Sequence, residues 1–327
     1  MAQTQEAPPA EAPPEEVTPP VEGEEVEETP EVIRVTAPSR PRPILLAGVA
    51  IPALLLSFLG SMFFSRAQAP APGPAHPPHW EYEGALGPTH WGEDDPHAAS
   101  CQIGDEQSPI DIHPSRLVQF DWLMPIQLKY KPDKDIQLVN NGHTWQVNYD
   151  QGSRMTFLGK EYELVQFHFH IPSEHTVNGK PAAMELHLVH ATPDAVKKLA
   201  VLGLLIEEGA ENPVLAKFWS QMPEKAGDPV KTKIEVNAAD FVPRNTTYWN
   251  YDGSLTTPPC SQGVSWVLLK QPIQASKAQI DRFKSIFQLN ARPVQPIKDR
   301  FIREELPPAP GSPAAAAPAP AAPAAGH

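Results

Sequence analysis

The run Gln166-Phe167-His168-Phe169-His170 alternates polar and aromatic residues without a break. Side chains alternate across an extended strand, so Gln166, His168 and His170 share one face and both phenylalanines take the other. Further on, Glu185-Leu186-His187-Leu188-Val189-His190 has the same period. Here Glu185, His187 and Val189 fall together, and His190 falls opposite. Two imidazoles from the first strand and one from the second can therefore be aimed at a single point from a rigid sheet.

The surrounding pattern is also β. Residues 136–139 and 144–149 are separated by Asn140-Asn141-Gly142, whose Asn-Gly pair is a strong hairpin signal. Residues 162–170, 183–190, 199–206 and 264–269 are short, apolar-rich and divided by Gly, Pro or Asn. Helices are few. Asn212-Pro213 opens one carrying Val214, Leu215, Phe218 and Trp219, and Ser276 with Gln279 forms a capping box ahead of Ile280, Phe283 and Phe287. The expected fold class is α+β and sheet-dominated: a single domain on a large central, mostly antiparallel β-sheet with a few peripheral helices.

A length of 327 residues could hold two domains, but the residue types are unevenly spread. Most of the 41 prolines lie near the ends. Residues 1–43 read as a disordered Pro/Glu-rich tail, 65–75 as a Pro/Ala-rich linker and 306–327 as a disordered Pro/Ala-rich tail, since none can bury enough apolar surface to offset the entropy of ordering. That leaves 76–305 as one globular domain. The net charge of −13, with lysines and arginines scattered, excludes a phosphate-tracking surface and hence nucleic acid as a partner.

Residues 44–64 contain no charge and match the roughly 20 residues that cross a bilayer core. Arg40 and Arg42 precede them, so the positive-inside rule keeps the N-terminus cytoplasmic and exports the domain to a periplasmic or extracellular location. The segment is a signal anchor, giving membrane contact if uncleaved, or a signal peptide. Ala67-Gln68-Ala69 resembles a cleavage site but Pro70 opposes cutting, whereas a start near Val32 or Val35 would leave an ordinary signal peptide. In an exported chain the only cysteines, Cys101 and Cys260, point to one disulfide, two separate buried thiols being the alternative.

Three neutral imidazoles on a rigid sheet suit Zn2+, which takes nitrogen ligands tetrahedrally and keeps a fourth position for water in catalytic sites. His168, His170 and His187 are the candidate ligands. Other metals also accept imidazole, and a lone sheet histidine is more often a hydrogen-bonded core residue, so the pattern by itself leaves the metal open.

Further motifs line up around these strands. In order they are His79-Trp80-Glu81-Tyr82, Gly87-Pro88-Thr89-His90-Trp91, Gln107-Ser108-Pro109-Ile110-Asp111-Ile112, Asn140-Asn141-Gly142-His143, Ser173-Glu174-His175-Thr176, residues 253–259, and Asn290-Ala291-Arg292-Pro293-Val294-Gln295-Pro296. With them the chain closely resembles the α-class carbonic anhydrases of bacterial, exported type, from about residue 79 to 300. The resemblance implies Zn2+ on His168, His170 and His187, with a bound hydroxide that attacks carbon dioxide to give bicarbonate and a proton. It implies that Thr256 accepts a hydrogen bond from that hydroxide and donates its own proton to Glu174. Thr257 is then a substrate contact, and Val189, Val201, Leu255 and Trp266 form an apolar wall.

The same resemblance makes Gln166, Glu185 and a backbone carbonyl near Asn290 the partners that orient the ligand rings, with Tyr82 in the water network and His143 as proton shuttle. His175 and His190 are expected to be structural. The chain departs from the familiar animal pattern at Ile171-Pro172, which stands in place of Trp-Gly, and its connection to Glu174 is shorter; both bear on the pocket rim and inhibitor preference. Two rival readings are a catalytically inactive carbonic-anhydrase-like binding protein, which would usually lack a zinc histidine, and a zinc-dependent esterase activity on the side.

Overall fold

The longest strand, Lys160–His170, is the one that carries the alternating histidines. It pairs antiparallel with Met184–Ala191, which pairs antiparallel with Leu199–Glu208. The computed structural model describes residues 33–35 and 79–305, apart from 94, 121 and 122. Within them a 14-stranded mixed sheet runs Ile33–Val35, Leu117–Phe120, Ile302–Glu304, Tyr248–Ser254, Gln262–Leu269, Leu199–Glu208, Met184–Ala191, Lys160–His170, Trp145–Asn148, Gln137–Asn140, Val230–Lys231, with three short strands off this path. This is the sheet-dominated α+β class expected.

Antiparallel pairs dominate, as read from the hairpins, but Leu199–Glu208 pairs parallel with both Gln262–Leu269 and Ile273–Ala275. Ile302–Glu304 likewise runs parallel to Leu117–Phe120 and antiparallel to Tyr248–Ser254, so the last described strand sits inside the sheet.

Register decides which residues share a face. His187 lies opposite His168, and Glu185 opposite His170. In the next row Gln166, Val189, Val201, Trp266 and Tyr251 are successive partners across five strands. Opposite residues project to the same side, so the apolar members of this row stand beside the histidines. His187 also pairs with Gly203, where an added Cβ would meet Leu268 Cδ1 at 2.8 Å and Glu185 Oε1 at 3.2 Å. Any larger residue would push on the Leu268 and Glu185 side chains.

The other face holds the main core, including Phe167, Phe169, Leu186, Leu188, Leu202 and Leu204. Two helices cover part of it. Pro213–Phe218 is capped by Asn212, and Lys277–Lys284 starts at the Ser276/Gln279 capping box. Gln279 joins them by exchanging 2.9 Å hydrogen bonds with the Asn212 backbone.

The 44–64 segment, the 65–75 linker, the 306–327 tail and nearly all of residues 1–43 lie outside the described residues. Inside the N-terminal stretch read as structureless, Ile33–Val35 is a strand parallel to Leu117–Phe120. It is a proline-free run with β-branched Ile33 and Val35 within Glu- and Pro-rich sequence. No described helix is long and apolar enough to cross a membrane.

Candidate metal centre

The adjacent strands Lys160–His170 and Met184–Ala191 bring His168, His170 and His187 together, with ring centroids 4.6–5.2 Å apart. One nitrogen from each lies within 4.8 Å of the others. The remaining nitrogen of each ring is tethered outward. His168 Nδ1 meets Gln166 Oε1 at 2.9 Å, His170 Nδ1 meets the Asn290 carbonyl at 2.7 Å, and His187 Nε2 meets Glu185 Oε1 at 2.9 Å.

An oxygen acceptor on one ring nitrogen places the proton there, so the inward nitrogens are His168 Nε2, His170 Nε2 and His187 Nδ1, each with a lone pair. Burial lowers the pKa of all three imidazoles, to about 4 for His170 and well below the ordinary value for His168. They are neutral at neutral pH, the form that binds metal. His170 Nε2, fully buried, finds no hydrogen-bond partner among the described residues. An orphaned lone pair facing two others is what a cation would satisfy.

Glu185 anchors the arrangement. One oxygen accepts from the Glu174 and His175 amides, both at 2.9 Å; the other meets His175 Nδ1 at 2.7 Å besides His187. Burial opposes its ionisation, but His175 and His187 overcome this and hold the carboxyl well below the usual range. His175 continues to the Tyr251 hydroxyl at 2.6 Å. The grouping of His175, Glu185 and His187 is thus already satisfied by its own hydrogen bonds.

Glu174 faces the trio with Oε2 3.5 Å from His170 Nε2 and 3.9 Å from His187 Nδ1. Its Oε1 accepts from the Arg292 amide at 2.9 Å. Burial pushes this carboxyl up to about 7, against the pull of His187, the Arg292 amide and the Thr256 hydroxyl. Thr256 is therefore its neighbour, although Glu174 Oε2 closes no hydrogen bond of normal geometry.

Val201 and Trp266 are buried in one apolar cluster, with Val189 and Leu255 packed against it. The Trp266 ring lies 4.8 Å from His187. Thr257 is half-buried, and its carbonyl accepts from the Cys260 amide at 2.8 Å. Tyr82 is buried, and burial together with the charge of Glu174 raises its pKa well above the ordinary value.

His143 sits apart from the trio. Its ring stacks on Trp80 at 3.7 Å, while its carbonyl accepts from Asn290 Nδ2 at 3.0 Å. Burial lowers its pKa, opposed by Glu81. His190 is on the opposite face, 2.7 Å from the Tyr130 hydroxyl. Cys101 and Cys260 form a disulfide.

A family model described as eukaryotic-type carbonic anhydrase matches residues 86–306. The chain belongs to the α-class carbonic anhydrases. A carbonic anhydrase from a Nostoc strain is 42% identical over 254 residues, 77% of this chain and 94% of the relative. The α-carbonic anhydrase of Thermovibrio ammonificans, solved with the inhibitor sulfanilamide, is 41% identical with a TM-score of 0.66, covering 69% of this chain and 99% of that one. Dioscorin, solved with ascorbate, is 29% identical with a TM-score of 0.65, covering 70% and 99%.

As a carbonic anhydrase the protein is an enzyme of carbon dioxide and bicarbonate, and its family uses zinc. The motifs of this carbonic anhydrase contain Arg292, Gln107 and the Asn290 side chain without pointing to a role for them. Asn290 Nδ2 donates to the Phe169 carbonyl at 2.9 Å, and its Oδ1 accepts from the Ile171 amide at 2.7 Å, fixing both neighbours of His170. An arginine between Ala291 and Pro293 inside a family motif was the available signal.

Proposed function

We propose that this carbonic anhydrase reversibly hydrates carbon dioxide to bicarbonate and a proton with zinc held by His168, His170 and His187. The observation that carries this reading is the outward tether on each ring, which leaves three neutral nitrogens converging on one point. Such a donor set, with its open side toward Glu174, fits catalytic zinc. When bound, zinc lowers the pKa of coordinated water to about 7, as is established for carbonic anhydrases in general, and so supplies hydroxide at neutral pH.

The chain's own residues do the rest. Burial holds Glu174 near 7, and an adjacent dication favours its ionised form. An ionised carboxylate only accepts, so the Thr256 hydroxyl donates to Glu174 and accepts from the attacking oxygen, turning that oxygen's lone pair toward carbon. Val189, Val201, Leu255 and Trp266 offer carbon dioxide a dry wall, with Thr257 as a polar contact. Gln166, Glu185 and the Asn290 carbonyl keep the rings aimed. Tyr82 joins the water path along which the proton reaches the His143 imidazole and then buffer.

Stopped-flow hydration by the purified protein, before and after chelation and again with zinc restored, tests this. Activity should vanish with the metal and return at one equivalent of zinc. Hydration by metal-free protein, or none with zinc bound, overturns the reading.

Export of the 76–305 domain belongs to the same proposal, with 44–64 as an anchor or a cleaved signal. It is supported by the uncharged run behind Arg40 and Arg42 and by the Cys101–Cys260 disulfide, a bond that persists in oxidising compartments. Recovery of the domain in the cytoplasmic fraction would overturn it.

A further inference from the structure

Arg292 is among the largest fully buried side chains, at 2% exposure. Its terminal nitrogens donate to neutral oxygens, Nη1 to Gln107 Oε1 at 2.9 Å and to the Ser108 carbonyl at 2.8 Å and Nη2 to the Cys101 carbonyl at 2.8 Å, while the buried Nε finds no partner among the described residues. The guanidinium lies 5.7 Å from the Trp91 ring centre. Burial pulls its pKa down to about 10, with Glu174 pulling the other way. Desolvating such a cation carries a penalty that filling the same space with an apolar chain would not.

These contacts converge on both ends of the disulfide. The Cys101 carbonyl is held directly, and Gln107 passes the link on, its Nε2 donating to the Cys260 carbonyl at 3.1 Å. The Cys260 amide in turn donates to the Thr257 carbonyl, next to Thr256. At its other end the same arginine offers its backbone amide to Glu174. One residue thus grips Glu174 through its main chain and reaches the loop bearing Thr256 by way of Gln107 and the disulfide.

We infer that Arg292 is a positioning residue that sets Glu174 and Thr256 against each other, with Gln107 and the Cys101–Cys260 disulfide as the other half of the clamp. The inference rests on the roles proposed above for Glu174 and Thr256. Arg292 touches no reacting atom; it acts by fixing where the carboxylate and the hydroxyl stand.

The test uses the full chain with zinc bound, as Arg292→Lys, Gln107→Met and the pair Cys101→Ser/Cys260→Ser, singly and combined. In concentrated imidazole buffer, where proton removal does not limit turnover, each should lower kcat for hydration with KM and zinc content unchanged. Combinations should lose less than the product of the single losses, by about threefold or more, because they damage one clamp. Gln107→Met leaves Arg292 in place and covers the case in which Arg292→Lys does not fold. In metal-free protein, dithiothreitol should reduce the disulfide several-fold faster in either single variant.

Melting temperatures lowered without loss of kcat, or kcat losses that multiply, overturn the positioning role. Unchanged reduction rates overturn the link to the disulfide. Glu174→Gln serves as the control: wild-type kcat in that variant overturns the proposed mechanism itself, whatever Arg292 does.

Discussion

His143 is held by a stack on Trp80 whose ring planes are 10° from parallel, with no hydrogen bond through Nδ1 among the described residues. Dispersion keeps it in place, yet no directional tether resists turning, which suits a group that must collect a proton on one side and release it on the other. Exposed His79 and Glu81, 2.7 Å apart, flank Trp80 in sequence, and Glu81 is felt electrostatically at His143. As a shuttle His143 would act after the chemical step, so its loss should separate proton removal from hydration. In dilute buffer His143→Ala should lose about a hundredfold or more in turnover, within the range for a positioned acid–base group. Isotope exchange between carbon dioxide and bicarbonate at equilibrium should largely survive, and added imidazole should restore turnover. Unchanged turnover in dilute buffer removes His143 from the mechanism and leaves the metal site untouched.

Along Met184–Ala191, parity separates two histidines only three residues apart, and a bulge against Lys160–His170 falls after Val189, past His187 and its partner His168. His187→Ala should therefore strip zinc and hydration; full zinc occupancy in that variant would sink the ligand assignment. His190 should act on stability alone. Burial holds its pKa down at about 4, whereas unfolded it takes up a proton near 6.5. The unfolded state binds more protons between these values, so stability falls as pH drops through that window, by about 3 kcal/mol in all. Unfolding at stepped pH should show the stability gap between wild type and His190→Asn closing by that amount, with zinc retained. Strands of this kind were legible because alternation is local. The parallel pairing of Leu199–Glu208 with Gln262–Leu269 was not, nor were edge strands of two to four residues such as Val230–Lys231, which are too short to show a period. Arg292 escaped for the same reason: its partner Gln107 is 185 residues away, beyond any local pattern.

Across the whole molecule, the disulfide joins cysteines 159 residues apart, and closing so long a loop is worth about 5 kcal/mol at most by chain entropy. Reduction should lower the melting temperature by up to about 15 °C while zinc stays bound, as read by calorimetry and metal analysis of one sample. Zinc released before any loss of stability would contradict the order of events. The strand Ile302–Glu304 carries a consequence of another kind. It is among the last residues of the described domain to leave the ribosome, yet it is wedged between Leu117–Phe120 and Tyr248–Ser254. The early strand Leu117–Phe120 must therefore wait through most of translation for its inner neighbour. Synthesis order and assembly order are opposed at this flank, so the sheet cannot be completed until the domain's end has been made. A domain that crosses a membrane as it is made would stay open-edged until its C-terminal end arrived, and one cut short before Ile302 would retain all three converging histidines on a sheet that never closes.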